Sequence, residues 1–317
     1  MNNNIKKNLV ILTSRFPMYW GENFLEDEII YTSKHYEKII ILCFFSSRKL
    51  NSKERILPNN VYTKNINIDF KPIDYLKIIY AFKYKFVFDE ILKIFKEYKF
   101  GEYMKCIKNL NRYFINGVII YENIIQNIEL KSLLNENTIF YSYWNDYKAL
   151  SLALLKKDHN IIAVSRIHGW DVDINRHSLK YLPFKYHITS SLNHSYCISE
   201  NGRLCLNQMT NNAFSNKISI SRLGKDNDRI VNKNKIDNKV VFVSCSTLIP
   251  LKRIPLLINL LAQIDIPNIE WYHYGDGYLR DEIKLHASNK LTNVKFQFLG
   301  RVKNEILLDF YSTNESK

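Results

Sequence analysis

The chain has 317 residues, which is enough for two domains that each bury a core of their own. Hydrophobic residues make up 46% of it and aromatic residues 14%, and this composition excludes a mainly disordered protein. The formal net charge is +14, but the sequence has no zinc-finger, RNP or helix-turn-helix signature, so we expect no binding to nucleic acid.

The N-terminal residues predict a strand, a helix and a second strand. Asn8–Leu12 is a short apolar run, a helix is predicted from about Glu22 to His35, and Ile39–Phe45 is a second apolar run. The loop after the first strand of such a unit commonly binds phosphate, and Gly21 would let the backbone approach a ligand there. A plain helix N-terminus explains the same loop nearly as well.

Residues 75–135 have a helical pattern, and Gly101 and Gly117 are expected to separate consecutive helices. Between Lys71 and Arg112, ten Lys or Arg stand against five Asp or Glu, interleaved with aromatic and aliphatic residues. This pattern is typical of helices that bind the anionic cytoplasmic face of a membrane. An ordinary helical insertion into the first domain is the alternative.

The next segment predicts two strands around a helix, and its end carries a candidate site. Strands are predicted over Asn137–Tyr143 and Ile161–Ile167, with a helix over Asp146–Lys156. Catalytic groups in α/β proteins gather at the end of a strand, and the near-neutral pKa of histidine suits proton transfer, so His168 is a candidate. The alternative is a structural histidine. Asp171 is either a polar group that orients the site or a helix cap.

A polar and charged stretch over residues 224–239 has almost no apolar periodicity and predicts a linker. We therefore expect a first domain over 1–224, with a helical insertion at about 71–135, and a second domain over 239–317. Shortly before the linker, Ser199 is expected to cap a short helix. Glu200 would lie in its first turn, where the helix dipole favours an anion.

The last quarter of the chain carries the most informative motifs. Val240–Cys245 is a continuous apolar run that predicts a strand buried on both faces, and Ile254–Ile264 has helical spacing. A strand that leads into a helix indicates a parallel, doubly wound sheet, whose ligands bind beyond the carboxyl ends of the strands. Lys252 and the turn Gly275–Gly277 fall at that edge. A cation beside a glycine turn suits a diphosphate.

The order of these motifs resembles the second domain of glycosyltransferase family 4. Members of this family have the α/β GT-B fold, with two Rossmann-like domains that face a cleft. The family has a Lys, a Gly-Asp-Gly turn and a Phe-x-Gly turn at the positions of Lys252, Gly275–Gly277 and Gly300. Its arginine position falls on Thr247, which carries no charge. The second positive charge is therefore missing unless Arg253 supplies it.

In the first domain the resemblance extends to the loop around Gly21, to an HG-x-D motif at His168 and to the segment around Glu200. It implies retaining transfer of a sugar from a nucleotide diphosphate-sugar donor to a lipid-linked or saccharide acceptor, with no cofactor and no metal. It implies catalytic roles for His168 and Lys252. The residues implied in binding the donor or lining its cleft are Gly21, Glu200, Arg253, Gly275, Asp276, Gly277 and Gly300.

The resemblance also implies a role in bacterial surface polysaccharide biosynthesis, such as lipopolysaccharide or capsule. Family members continue with an E-x7-E loop that holds the donor sugar, whereas this sequence ends at Lys317. The second domain is therefore expected to be incomplete and transfer by this chain to be weak or absent. A non-catalytic GT-B protein that binds a glycan, a membrane or a partner subunit is the alternative, favoured by Thr247. Another GT-B enzyme, such as a sugar-nucleotide epimerase, is a third.

The five cysteines form no CxxC or Cys/His pattern, and their odd number argues against a disulfide framework. Cys43 and Cys245 fall in predicted buried strands and are expected to be buried there. No apolar run has the length of a signal peptide or of a membrane span. We expect a cytoplasmic protein, soluble or attached to the inner face of the plasma membrane.

Overall fold

The computed structural model describes residues 7–18, 22–45, 55–68, 71–224 and 240–313. The chain divides into two compact units, residues 1–225 and 226–317, here called unit 1 and unit 2. Gly21 and nearly all of the predicted linker lie outside the described residues.

Unit 1 is built on a parallel sheet of seven strands in the order β3-β2-β1-β4-β5-β6-β7. The strands are β1 Asn8–Thr13, β2 Ile39–Phe45, β3 Val61–Asn67, β4 Thr138–Ser142, β5 Ile162–Ile167, β6 His194–Cys197 and β7 Ile218–Ile220. The α-helices are α1 Phe24–Ser33, α2 Lys85–Glu97, α3 Phe100–Gln126, α4 Ile128–Ser132, α5 Tyr147–Asp158, α6 Gly169–Val172, α7 Lys185–Ser191 and α8 Glu200–Met209. Within the described residues of unit 1, 3-10 helices cover Pro72–Lys83, Ile174–Arg176 and Ser215–Lys217.

Both faces of this sheet are buried, because alternate residues of its central strands belong to two different hydrophobic clusters. In β1, Val10 and Leu12 pack in the cluster that includes residues of α3 and α5. Leu9 and Ile11 pack in the other cluster, with residues of α1. A strand whose two faces are both covered needs a continuous apolar run, which is why β1 and β2 are evident in the sequence.

Unit 2 contains a parallel three-stranded sheet in the order β10-β9-β8. Its strands are β8 Val240–Cys245, β9 Ile269–Tyr274 and β10 Val294–Gly300, and its helices are α9 Ile254–Leu261, α10 Arg280–Lys290 and α11 Asn304–Thr313, with a 3-10 helix at Pro250–Lys252. The predicted α/β class with parallel sheets is confirmed in both units. β3, β6 and β7 were not predicted from the sequence.

The helical insertion departs from the prediction at both glycines. The break between α2 and α3 falls at Tyr98 and Lys99, so Gly101 lies in the first turn of α3, and Gly117 lies inside α3 without a break. A Cβ at Gly117 would lie 3.1 Å from the side chain of Leu150 and 3.3 Å from the carbonyl oxygen of Tyr147, both in α5. Gly117 is therefore explained by close packing of two helices, not by a helix end.

The prediction that β8 is buried on both faces is wrong. No residue of Val240–Cys245 is buried, and Cys245 is exposed, whereas Cys43 in β2 is buried as expected. Within the described residues β8 is an edge strand that pairs with β9 alone. An edge strand has one neighbour instead of two, which leaves its residues only partly covered.

Replacing Gly117 by leucine should lower the free energy of unfolding by about 1–3 kcal/mol, because the larger side chain has to push α3 and α5 apart. Gly101→Leu is the matched control, since a Cβ at Gly101 has no atom within 4 Å. Denaturant unfolding followed by circular dichroism measures both variants. Equal stability of the two variants would show that α3 and α5 do not approach closely at Gly117.

Candidate functional site

The carboxyl edge of the unit 1 sheet brings together the loops after β1, β4 and β5. These strands are neighbours in the sheet, with Leu12 of β1 opposite Ser142 of β4, and Ser142 opposite Ser165 of β5. The strand order reverses between β1 and β4. Ligands of doubly wound sheets bind at such a switch point, beyond the carboxyl ends of the strands.

The carboxylate of Glu22 occupies the centre of this edge. It accepts hydrogen bonds from the backbone N–H groups of Ser14, Arg15 and Phe16, at 2.7, 2.8 and 2.7 Å. A fourth donor is the indole Nε1 of Trp144, at 2.6 Å. Three successive N–H groups that converge on one anion form a backbone nest. In this loop the nest is filled by a side chain of the chain itself.

Trp144 links this nest to His168. The indole and imidazole rings lie 4.3 Å apart between centroids, and the ring of Tyr143 lies 5.0 Å from the same imidazole. The Nε2 atom of His168 lies 3.0 Å from the carbonyl oxygen of Tyr143. A carbonyl can only accept, so Nε2 carries the proton and Nδ1 is the acceptor of this imidazole.

The chemistry of His168 differs from the near-neutral histidine expected from the sequence. The side chain is buried, and burial lowers the pKa of His168 to about 4, with the positive charge of Arg166 acting in the same direction. His168 is therefore uncharged at neutral pH. Its Nδ1 suits acceptance of a hydrogen bond from a ligand hydroxyl and does not suit donation of a proton.

Asp171 lies in the first turn of the short helix α6, and its side chain caps the start of that helix. Its carboxylate accepts a hydrogen bond of 2.8 Å from the backbone N–H of His168, and this contact holds the histidine at the start of α6. Burial raises the pKa of Asp171 to about 6, while the nearby Lys185 ammonium opposes the rise.

Two buried lysines support the loops beneath this edge. The ammonium of Lys148 donates to Ser14 Oγ at 2.9 Å and to Asp146 Oδ2 at 2.5 Å. Lys185 donates to the carbonyl oxygen of Asn145 and, at 2.9 Å, to its side-chain oxygen. Burial lowers the pKa of Lys148, but Asp146, Tyr147 and Glu22 together outweigh it and the net shift is upward. The sequence gives no signal for these roles, because both lysines lie in helical runs where an exposed lysine is ordinary.

In unit 2, the carboxyl edge is a set of tightly packed turns. The N–H of Ser246 donates to Tyr274 at 2.9 Å, and the N–H of Gly275 donates to Gly300 at 2.7 Å. Gly275 has a φ of +133°, and a Cβ there would lie 1.9 Å from the carbonyl oxygen of Ser246. A Cβ at Gly277 would lie 2.3 Å from the carbonyl oxygen of Leu248. Both glycines are thus required by the loop after β8, whatever else they contact.

The other residues of the glycine turns have distinct environments. Asp276 accepts a hydrogen bond of 2.8 Å from the N–H of Gly277, and its other oxygen lies 3.4 Å from Arg280. Gly300 has a φ of +73°, and no atom lies within 4 Å of the position of its missing Cβ. Gly300 is therefore required by its backbone conformation, and the space beside it is open.

Lys252 and Arg253 lie exposed at this edge, between the loop after β8 and the start of α9. The positive charge of Lys252 opposes the rise that burial causes in the pKa of Cys245, which indicates that Lys252 lies close to the end of β8. Arg253 is the first cap residue of α9 and has a φ of +52°. Neither side chain forms an ion pair within the part of the chain that the structure describes.

The predicted site residues therefore fall into two groups. His168 and Glu200 follow β5 and β6 of unit 1. The side chain of Glu200 is held by Arg203 of its own helix, with Nε to Oε1 at 3.0 Å. The unit 2 group consists of Lys252, Arg253, Gly275, Asp276, Gly277 and Gly300. The central residues of the unit 1 edge are Glu22, which was expected only within the loop motif at Gly21 and at the start of the first helix, and Trp144, which no prediction included.

Across the described ranges, no cluster of three or more His, Cys, Asp or Glu side chains is arranged to hold a metal ion. No helix in these ranges is both long enough and apolar enough to cross a membrane.

Comparison with known proteins identifies the fold. No family model matches the chain, and no curated protein matches it by sequence. Among solved structures, Anabaena Alr3699/HepE in complex with UDP and glucose matches with a TM-score of 0.59 and 12% identity, over 96% of this chain and 72% of its own. The lipopolysaccharide outer core galactosyltransferase WaaB, in its apo form, matches with a TM-score of 0.52 and 11% identity, over 97% of this chain and 71% of WaaB.

A third match is the alpha,alpha-trehalose-phosphate synthase (UDP-forming) of Burkholderia vietnamiensis, with a TM-score of 0.55 and 9% identity, over 96% of this chain and 76% of the synthase. These neighbours are GT-B glycosyltransferases. At such low identity the likeness establishes the GT-B fold and not the family.

Replacing Glu22 by alanine should lower the free energy of unfolding by about 1–3 kcal/mol, because three backbone N–H groups and the Trp144 indole lose their acceptor. Added inorganic phosphate should restore part of the lost stability in Glu22→Ala but not in the wild type, whose nest is filled. Thermal unfolding with and without phosphate measures this. Glu37→Ala is the control, since Glu37 forms no contact with this loop. Equal phosphate effects on all three proteins would contradict a filled nest.

The shifted pKa values of His168 and Asp171 should affect the pH dependence of stability with opposite signs. Between pH 6.5 and 4 the unfolded chain protonates His168 and the folded chain does not, so acidification lowers stability by up to about 3 kcal/mol. Asp171 has an ordinary pKa of 3.8 and a folded pKa of about 6, so its protonation on acidification over the same interval raises the stability of the folded chain.

His168→Gln should therefore lose less stability than the wild type on acidification from pH 6.5 to 4, and Asp171→Asn should lose more. Denaturant unfolding at several pH values provides the measurement. Parallel pH profiles for all three proteins would mean that neither group has a shifted pKa.

Proposed function

We propose that this chain is a glycosyltransferase of the family 4 type, which transfers a sugar with retention from a nucleotide diphosphate-sugar to a saccharide or lipid-linked acceptor. The single observation that carries this proposal is the carboxyl edge of unit 2. There, Lys252 and Arg253 have no carboxylate partner in the described residues and follow the loop after β8, whose Ser246 and Leu248 pack against Gly275 and Gly277. The GT-B fold shared with HepE, whose structure contains UDP and glucose, supports the same reading.

In this proposal Lys252 stabilises the negative charge that develops on the leaving nucleoside diphosphate. Arg253 supplies the second positive charge, since Thr247 has none. The Oδ1 atom of Asp276 accepts the N–H of Gly277 and its Oδ2 atom lies 3.4 Å from Arg280, so this carboxylate orders the turn. The open space beside Gly300 leaves room for the nucleoside to approach the backbone.

His168 would contact the acceptor or the transferring sugar through Nδ1. An uncharged imidazole that accepts a hydrogen bond can orient a hydroxyl, and orientation contributes substantially to group transfer. Unit 1 also contains a cavity of about 820 Å³ whose lining includes Glu90, Tyr181 and Lys185. Buried carboxylate and phenol groups suit recognition of sugar hydroxyls, and Tyr181 already donates to Glu90 at 3.0 Å. We assign this cavity to the acceptor.

The proposed pathway is the synthesis of a bacterial surface polysaccharide, such as lipopolysaccharide or capsule, at the cytoplasmic face of the membrane. WaaB, which shares the fold, is a lipopolysaccharide outer core galactosyltransferase. The exposed apolar side chains of the helical insertion support attachment to a membrane surface. They are Ile73, Leu76, Ile79, Phe82, Leu92, Phe100 and Met104.

Thr247 favours one alternative, a non-catalytic GT-B protein that binds a glycan, a membrane or a partner subunit. Titration calorimetry with UDP and with GDP, together with an assay for nucleoside diphosphate release from the corresponding sugar donors, separates the two functions. Binding with release supports the transferase, and binding without release supports the alternative.

Lys252→Ala should weaken the binding of UDP or GDP by about tenfold or more, because a charge that faces a diphosphate contributes at least about 1.4 kcal/mol. Lys290→Ala is the matched control, since Lys290 ends α10 at the amino edge of the same sheet. Calorimetry on the full chain measures both variants. Equal affinities of the two variants, or no binding of either nucleotide by the wild type, would contradict the assigned donor site.

Replacing Phe82 and Ile79 by serine should reduce co-sedimentation with anionic vesicles by several-fold, because these side chains are 74% and 69% exposed and free to enter the interface. Binding of the wild type should also fall with salt, which screens charges beyond about 10 Å at 0.1 M. Leu285→Ser is the control, an exposed apolar residue of unit 2. Binding that is indifferent to salt and to these substitutions would leave an ordinary helical insertion.

A further inference from the structure

A second cavity of unit 1 has a lining with positive charge and no carboxylate. It has a volume of about 490 Å³ and lies among the start of α2, the end of α5 and α7. Lys85, Lys156 and Lys157 contribute to its lining, and no Asp or Glu does. We call it the lysine pocket.

The lysines of this pocket are not neutralised by the described part of the chain. Lys156 donates only to the carbonyl oxygen of Ile161, at 3.3 Å, and Lys157 lies over the ring of Tyr84, at 4.7 Å from its centroid. A fourth lysine, Lys217, is close enough to lower the pKa of Lys156 together with burial. The carboxylate of Asp158, which follows Lys157 in the chain, accepts a hydrogen bond of 2.9 Å from Tyr121.

Most of the remaining lining is aromatic or aliphatic. Phe86 and His187 are stacked, with ring centroids 3.6 Å apart and planes within 8°, and Ala153 and Leu154 are buried beneath. Burial, with the charge of Lys157, lowers the pKa of His187 to about 4, so this imidazole is neutral and adds no positive charge. The pocket thus combines an apolar wall with three cationic groups.

We propose that the lysine pocket binds a phosphate ester, with Lys85, Lys156 and Lys157 around the phosphate oxygens and the apolar part of the ligand against Phe86 and His187. Its volume lies in the range of small-ligand sites. Ammonium groups bind phosphate as point charges, and unpaired ones in a cavity attract an anion more strongly than paired surface charges do.

This pocket is separate from the carboxyl edge described above. Lys157 follows Tyr147 by ten residues of α5, which corresponds to about 15 Å along the helix. The lysine pocket shares Phe86 and His187 with the cavity assigned to the acceptor, but Lys85, Lys156 and Lys157 line only the lysine pocket. Loss of nucleotide binding would therefore not affect the inference.

The phosphate ester has two possible sources, a soluble metabolite or a lipid headgroup. The 3-10 helix Pro72–Lys83, with its exposed Ile79 and Phe82, leads directly into Lys85 and would bring a membrane surface next to the pocket. The two sources call for two probes, glycerol 3-phosphate in solution and phosphatidylcholine vesicles that contain phosphatidate.

The test compares the wild-type chain with Lys85→Ala/Lys157→Ala, in which both positions are exposed and helical. Lys284→Ala/Lys290→Ala is the control, because it removes the same charge from exposed positions of α10, outside both the pocket and the helical insertion. Calorimetry measures the binding of glycerol 3-phosphate. Co-sedimentation compares binding to vesicles that contain phosphatidate with binding to vesicles of equal charge that contain oleate.

We expect the pocket variant to lose at least about tenfold in affinity for one of the two phosphate probes, and the control to retain it. Loss with glycerol 3-phosphate identifies a soluble ester, and loss confined to phosphatidate vesicles identifies a lipid headgroup. Three results would overturn the proposal. The first is an equal loss of affinity in the two variants, and the second is equal binding to phosphatidate and oleate vesicles with no binding of glycerol 3-phosphate. The third is no saturable binding of either probe.

Discussion

The carboxylate of Glu22 is the contact on which the unit 1 edge depends. It gathers three backbone N–H groups of the loop after β1 and the indole N–H of the loop after β4. The Trp144 ring in turn packs against the imidazole of His168, which follows β5. One side chain therefore joins the ends of three neighbouring strands. A carboxylate suits this position because charge-assisted hydrogen bonds are stronger than neutral ones.

This arrangement changes what each edge offers to a ligand. In unit 1 the nest after β1 is filled, and the neutral His168 offers an acceptor atom in place of a positive charge. In unit 2 the exposed Lys252 and Arg253 are unpaired in the described residues. We therefore propose that the anionic donor binds at the unit 2 edge and that unit 1 recognises hydroxyl groups.

The sequence predicts the parts of the fold that periodicity determines. The apolar runs of β1 and β2 are explained by burial on both faces, and the helical spacing of α9 corresponds to its buried stripe of Ile254, Ile258 and Leu261. The same reasoning fails for β8, because an apolar run does not reveal how many neighbours a strand has. It fails for Gly117, because a glycine that ends a helix and one that admits another helix are alike in sequence.

The candidate site was predictable only in part. Motif order located His168, Lys252 and the glycine turns at the carboxyl ends of strands, but not what they contact. Gly275 and Gly277 face the backbone of Ser246 and Leu248, a tertiary contact between segments nearly thirty residues apart. Glu22 and Trp144 are separated by 122 residues, and no local pattern connects them.

The division between the two edges is tested most directly by amide and indole chemical shifts of the ¹⁵N-labelled chain during titration with UDP or GDP. We expect shifts at residues 247–253, at Gly275, Gly277 and Gly300, and none at Ser14, Arg15, Phe16 or the Trp144 indole. Shifts at the loop after β1, with unit 2 unchanged, would show that a nucleotide displaces Glu22 and that the donor site has been assigned to the wrong edge.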